Sequence, residues 1–219
     1  MNYAELPQIW RRIFELEWLS LCKGSKAIAA VIVDEQGEII SEGRNMIGER
    51  VCPNPIIWHA ETEAIRNLNI EKYPEVKKYT LYAGLEPCPM CMGTIVMGHI
   101  RNVVIAARDD LGGAMKLMEY SSFIKSKNIQ VTWLDNELGD MQRAFQTIRE
   151  LLFNGDEDKL ERMLADFSVY NKSGVEAAKG LVTEGYFEGR LLEDILVEEV
   201  YDELRKRMEK PKIVFHVCE

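Results

Sequence analysis

Three pieces of one stretch decide the fold: Tyr79-Thr80-Leu81-Tyr82-Ala83, then Pro87-Cys88-Pro89-Met90-Cys91, then Asn102-Val103-Val104-Ile105-Ala106-Ala107. The outer two are short, rich in β-branched and aromatic residues, and read as strands. Between them residues 89–98 read as a helix, with Pro89 suited to a first helical turn because its missing N–H would have no intrahelical partner there. A strand, a helix and a second strand imply neighbouring strands joined by a helical crossover.

The pattern extends in both directions. Apolar residues at Leu6, Ile9, Trp10, Ile13, Phe14 and Leu21 predict a helix over about 5–23, stopped by Gly24. The run Ala27-Ile28-Ala29-Ala30-Val31-Ile32-Val33, the turn Asp34-Glu35-Gln36-Gly37 and Glu38-Ile39-Ile40-Ser41 read as a hairpin whose first strand is buried on both faces. Residues 58–69 read as a helix, 114–126 as helical, Ile129–Leu134 as extended and Leu138–Phe153 as a long amphipathic helix. The predicted architecture is a three-layer α/β/α sandwich around a mixed sheet of about five strands. Asn154-Gly155-Asp156 breaks the rhythm, and a helical extension over 154–219 follows, with Leu192, Leu196, Val200, Leu204 and Met208 on one face. The expected division is 1–153 and 154–219.

Composition bounds the function. The 219 residues are 47% hydrophobic and 29% charged, and the longest apolar run, Ala27–Val33, is far too short for a membrane span. The beginning Met1-Asn2-Tyr3-Ala4-Glu5 has no basic region followed by an apolar stretch, and a cytoplasmic protein is expected. A net charge of -9 disfavours a phosphate backbone as partner. Most of the acidity lies in residues 154–219, which hold 10 Lys/Arg against 16 Asp/Glu. The five cysteines, Cys22, Cys52, Cys88, Cys91 and Cys218, are odd in number, which favours free thiols or metal ligands over a disulfide framework.

Two motifs carry chemistry: His59-Ala60-Glu61 and Pro87-Cys88-Pro89-Met90-Cys91, each opening a predicted helix. Cys88 and Cys91 place two sulfurs on one side of a first turn, and two thiolates with one imidazole suit zinc. Three protein ligands leave a fourth position for water; a closed structural site would need Cys52, His99 or His216 as well. Zn²⁺ with two thiolates and a neutral imidazole is formally neutral, so it acidifies water less than a tris-imidazole site, and a neighbouring base is needed. Glu61 is that base.

The pair of motifs, H-x-E and P-C-x-x-C, resembles the zinc-dependent cytidine and deoxycytidylate deaminases, in the branch with tRNA adenosine, guanine and cytosine deaminases. The resemblance spans about residues 26–152. It implies one zinc per chain on His59, Cys88 and Cys91, proton transfer by Glu61, hydrolytic release of ammonia from a small aminated heterocycle, and a homodimer. It further implies substrate reading by Asn45 in Gly43-Arg44-Asn45, by a main-chain amide at Ala60 or beside Cys88, and by the loop of Glu86 and Pro87. Trp58 could stack on a heterocycle or plug the core, and Asp109 could bind an exocyclic amine or cap the helix near residue 114. The competing readings are tRNA adenosine deamination, and a non-catalytic zinc-binding subunit of the same fold.

Overall fold

The structure, a computed structural model, describes residues 1–50, 52–134 and 136–208; His216 and Cys218 lie outside the described residues. In chain order the elements are α1 (Gln8–Cys22), β1 (Ala29–Val33), β2 (Ile39–Arg44), α2 (Ala60–Asn67), β3 (Thr80–Leu85), α3 (Pro89–Met97) and β4 (Asn102–Ala107). There follow α4 (Leu117–Tyr120), α5 (Ser122–Lys125), β5 (Gln130–Trp133), α6 (Glu137–Phe153), α7 (Glu157–Thr183) and α8 (Val197–Met208). The strands form one sheet in the order β2-β1-β3-β4-β5. β1 is antiparallel to both neighbours, while β3, β4 and β5 run parallel. The expected mixed five-stranded sheet between helical layers is the fold observed.

All five residues of β1 are buried because successive side chains enter opposite cores. Ala29, Val31 and Val33 pack with α1 and α6 through Phe14, Leu21, Met141 and Phe145. Ala30 and Ile32 pack with α2 and α3 through Ala60, Ala64, Met92 and Ile95. Asp34 Oδ1 accepts from the amides of Gln36 and Glu38, and Gly37 takes φ +87°, which closes the predicted hairpin.

Several boundaries differ from the sequence reading, each for a local reason. α1 starts at Gln8 because Asn2 caps a separate short turn over Tyr3–Glu5 and Pro7 takes the N-cap position. α2 starts at Ala60, not 58, since His59 is extended at φ -94°, ψ 152°. β2 runs on to Arg44 beyond the expected Ser41, so Asn45 follows directly on a strand end. The helix expected over 114–126 is two single turns, split where Ser121 turns extended and its Oγ accepts from the Ile124 amide. Leu196 is 56% exposed, because the segment before α8 is a short 3-10 turn that hands the buried positions to Ile195, Val200, Tyr201 and Leu204.

Two close approaches matter for the site. A Cβ on Gly43 of β2 would overlap the carbonyl oxygen of Ala60 and the amide nitrogen of Ala64, so this glycine lets α2 lie directly on the sheet. On the other face a Cβ on Gly174 would overlap the Asp140 carbonyl, so α7 meets α6 backbone to backbone.

The change of pattern at residue 154 does not separate two cores. Ala177, Ala178, Leu181, Phe187, Ile195, Val200, Tyr201 and Leu204 share one cluster with Phe14, Trp18 and Phe145. Trp18 Nε1 donates to the Ile195 carbonyl at 2.9 Å. Full burial of a large apolar side chain is worth about 1.5–3 kcal/mol, and removing the extension would expose several at once. A chain ended after Phe153 is therefore expected to lose cooperative thermal unfolding and to precipitate, as read by calorimetry and sedimentation. A soluble fragment with an unchanged melting temperature would contradict this shared core.

Candidate metal centre and cavity

The parallel strands β3 and β4 end at one edge of the sheet, the usual place for ligands in open α/β folds. A cavity of about 270 Å³ opens there, lined among others by Lys26, Ile28, Asn45, His59, Glu61, Glu86, Cys88, Asp109, Arg143, Gln146, Met163 and Phe167. Its size is at the small end for organic ligands.

Two helices begin at this edge. His59 is the N-cap of α2 and Cys88 that of α3, with Pro89 in the first turn, so both motifs open helices as expected and the two helix tips meet here. His59 Nδ1 lies 3.4 Å from Cys88 Sγ and 3.6 Å from Cys91 Sγ, and the sulfurs are 3.6 Å apart. Zinc bonds of about 2.3 Å to sulfur and about 2.0–2.1 Å to nitrogen give tetrahedral edges of roughly 3.6–3.8 Å. The three donors thus already stand at the spacing one zinc ion requires. Among the described residues no fourth His, Cys or carboxylate joins this group; Cys52 and His99 lie outside it. Thr62 Oγ1, which nothing in the sequence marked, sits 3.6 Å from Cys91 Sγ and can donate to it.

The three donors set one another's protonation. The Cys91 thiol and the His59 ring, hydrogen-bonded to Cys88, hold the Cys88 thiol down to about 4. Cys91, as the partner that keeps its proton, is pushed up, and the Cys88 thiolate raises His59. Glu61 is 4% exposed, and its burial raises its proton affinity.

The remaining residues singled out in the sequence divide. Asn45 is 1% exposed and its Oδ1 accepts from the amides of Lys26 and Ile47 at 3.3 and 3.2 Å. Those two donors orient the amide of Asn45, which lines the cavity, and leave its Nδ2 donors uncommitted by them. Glu86 is engaged in structure: its carboxylate accepts from the amides of Asp109 at 3.1 Å and Met115 at 3.2 Å, pinning the loop after β4. Asp109 caps no helix. Its Oδ1 accepts from the Leu111 amide and from Arg143 Nη2 at 3.0 Å. Trp58 and Ala60 are not on the cavity wall: the Arg66 guanidinium covers the Trp58 ring at 4.5 Å, and Ala60 is fully buried under β2.

Sequence reasoning passed over Lys26, Arg143, Gln146, Met163 and Phe167, all on the wall. The sequence carried no signal for them: Gln142, Arg143 and Gln146 lie off the apolar face that Met141, Phe145 and Ile148 mark on α6, as polar residues of an amphipathic helix do, and only the structure buries them. Lys26 Nζ pairs with Glu150, whose carboxylate also accepts from Gln146 Nε2 and Arg149 Nη1.

The family description "cytidine and deoxycytidylate deaminase zinc-binding region" matches residues 8–107. The chain is 36% identical to the tRNA-specific adenosine deaminase of Bacillus subtilis (strain 168) over 137 residues, 59% of this chain and 80% of the relative. It is 30% identical to a probable cytosine deaminase of Schizosaccharomyces pombe over 112 residues, 49% of this chain and 65% of that one. In fold it resembles NE0047, solved in complex with 2,6-diaminopurine, with a TM-score of 0.51 at 22% identity, covering 67% of this chain and 82% of the other.

Zinc added to metal-free protein is expected to bind one equivalent and to release between about one and two protons at neutral pH, since the His59 and Cys91 protons must leave the donors. Isothermal titration calorimetry in buffers of different ionisation enthalpy measures the count. Full zinc content in the combined variant His59→Ala, Cys88→Ser, Cys91→Ser would refute the site.

Proposed function

Because this chain belongs to the cytidine and deoxycytidylate deaminase family of zinc-binding hydrolases, we propose that it removes the exocyclic amine of a free small heterocycle, with Glu61 as the proton carrier. The overall conversion takes up one water, replaces the amine-bearing C–N bond with a carbonyl, and releases ammonia. His59, Cys88 and Cys91 would hold the zinc, which when bound supplies Lewis acidity toward the attacking water.

The chain's own groups do the rest. Glu61 stands in the first turn of α2, two residues after His59, and lines the same cavity as His59 and Cys88. It takes a proton from the attacking water, delivers it to a ring nitrogen, and carries a second proton to the departing amine. Asn45, whose Oδ1 accepts from the Lys26 and Ile47 amides, donates through Nδ2 to an acceptor on the ring. The apolar side chains of Ile28, Leu85, Met163 and Phe167 keep bulk water from the reacting carbon.

The observation that carries the free-substrate reading is the pairing of the cavity cations. Lys26 is neutralised by Glu150 and the buried Arg143 by Asp109, so among the described residues neither stands ready for a phosphate. Base flipping out of RNA needs cations around the pocket mouth to hold the flanking backbone. The similarity to the Bacillus tRNA-specific adenosine deaminase favours the second reading, an adenosine in transfer RNA. Ammonia release from adenine, guanine and cytosine, compared with inosine formation in transfer RNA, separates the two; salt-sensitive RNA editing without base turnover would decide for RNA. The proposal also includes a homodimer in the cytoplasm, the first of which sedimentation tests.

Glu61→Gln is expected to keep the fold and the zinc while turnover drops by about 10²–10⁴-fold, because an amide cannot take the proton. Turnover within about tenfold of the wild type, measured as ammonia release at equal zinc content, would assign the proton transfer elsewhere.

A further inference from the structure

The cavity has two sides of different origin. His59, Glu61 and Cys88 come from the α2 and α3 layer, whereas Arg143, Gln146, Met163 and Phe167 come from α6 and α7 on the opposite face of the sheet. The α7 residues lie beyond the 8–107 region that carries the family match. We infer that Phe167, with Met163 beside it, is the specificity-determining wall of this site and limits it to unsubstituted nucleobase-sized rings, excluding the same rings when they carry a sugar. This rests on the deaminase reading proposed above.

The wall is built to stay in place. Phe167 is 4% exposed, and the guanidinium of Arg143 lies over its ring at 4.3 Å. Arg143 is itself 2% exposed and is held by Asp109 Oδ1 at 3.0 Å and the Arg108 carbonyl at 2.8 Å. Asp109 in turn has its amide fixed by Glu86, at the end of the strand that leads to Cys88. A line of contacts therefore runs from the strand beside the metal ligands to the ring of Phe167.

The segment that carries this wall is tied to its neighbours. α7 breaks at Asn171, where φ is -126° and ψ 45°; Leu164 and Phe167 before the break and Val175 beyond it form one small cluster, with Leu160 and Met163 of α7 and Leu151 of α6 packed against it. Beyond the break, Gly174 locks the rest of α7 to α6. The Phe167 and Met163 side chains offer a ribose no hydrogen-bonding group, and a sugar directed at them would have to displace them. Rejecting a substituent by lack of space is worth a large ratio only when the wall cannot yield.

The experiment uses the full-length zinc-loaded protein and three pairs of compounds: adenine and adenosine, guanine and guanosine, cytosine and cytidine. The wild type is expected to release ammonia from a free base at least about a hundredfold faster, as kcat/KM, than from its nucleoside. Phe167→Ala is expected to raise the nucleoside-to-base ratio about tenfold or more, chiefly through KM of the nucleoside, with zinc content unchanged; Phe167→Leu and Met163→Ala, which disturb the fold less, should raise it in smaller steps. Ratios unchanged within about twofold in all three variants, or a wild type that turns over base and nucleoside equally, would overturn the inference. Calorimetric binding of the same pairs gives a readout independent of turnover. A protein that binds bases but not nucleosides and yet releases no ammonia would sink the deaminase reading and uphold the wall; equal binding of both would sink the wall.

Discussion

His59, Cys88 and Cys91 can share one ion only if α2 and α3 begin at the same sheet edge with their tips a few ångströms apart, and the rest of the molecule is arranged around that requirement. Helix α2 reaches the edge because Gly43 leaves no Cβ between β2 and the Ala60 carbonyl. Helix α3 reaches it because β3 delivers Cys88 straight into an N-cap, with proline in the first turn where a missing amide hydrogen costs nothing. Both tips present the positive ends of their helices, which favours thiolate at Cys88 and carboxylate at Glu61. The donors are held at bonding geometry by backbone packing, so little side-chain order has to be imposed when a metal arrives.

Charge is handled by enclosure in pairs. Leaving one member of a buried ion pair alone costs roughly 3–5 kcal/mol, so each cation on the cavity wall has a fixed carboxylate. Glu150 gathers Lys26, Arg149 and Gln146 around one carboxylate, which ties the segment before β1 to the end of α6. Arg143 with Asp109, and Glu86 with the amides of Asp109 and Met115, do the same for the loop after β4. These bonds balance the charge of both cations on the wall, while Arg143 Nε and Gln146 Oε1 keep no hydrogen-bond partner of their own and line the cavity together with Asn45, Glu61 and the apolar side chains.

The alternation of strand and helix from Ala27 to Phe153, and the two short motifs at helix starts, were legible because each depends on local properties: β-branched runs, turn residues and the spacing of Cys88 from Cys91. Boundaries were less legible where one backbone angle decides, as at His59 and Ser121. Glu86 was read as a substrate contact and Asp109 as either a substrate contact or a helix cap; in the structure both carboxylates accept from main-chain amides, and Asp109 also from Arg143, a partner 34 residues beyond it in the chain.

The extension shows the division most plainly. Its helical character is local and stands in the sequence, down to Asp156, whose side chain caps α7 by accepting from the Lys159 amide. That Trp18 would find its acceptor at Ile195, or that Phe167 would lie under Arg143 on the cavity wall, depends on how α7 and α8 pack against α6, and no spacing along the chain encodes such a pairing. By itself the sequence determined the α/β layers, the zinc-competent donors His59, Cys88 and Cys91, and the carboxylate two residues after the histidine. Which residues close the cavity was settled by tertiary packing alone, because contacts such as that of Lys26 with Glu150 join residues 124 apart in the chain and exist only once both helical layers are seated on the sheet.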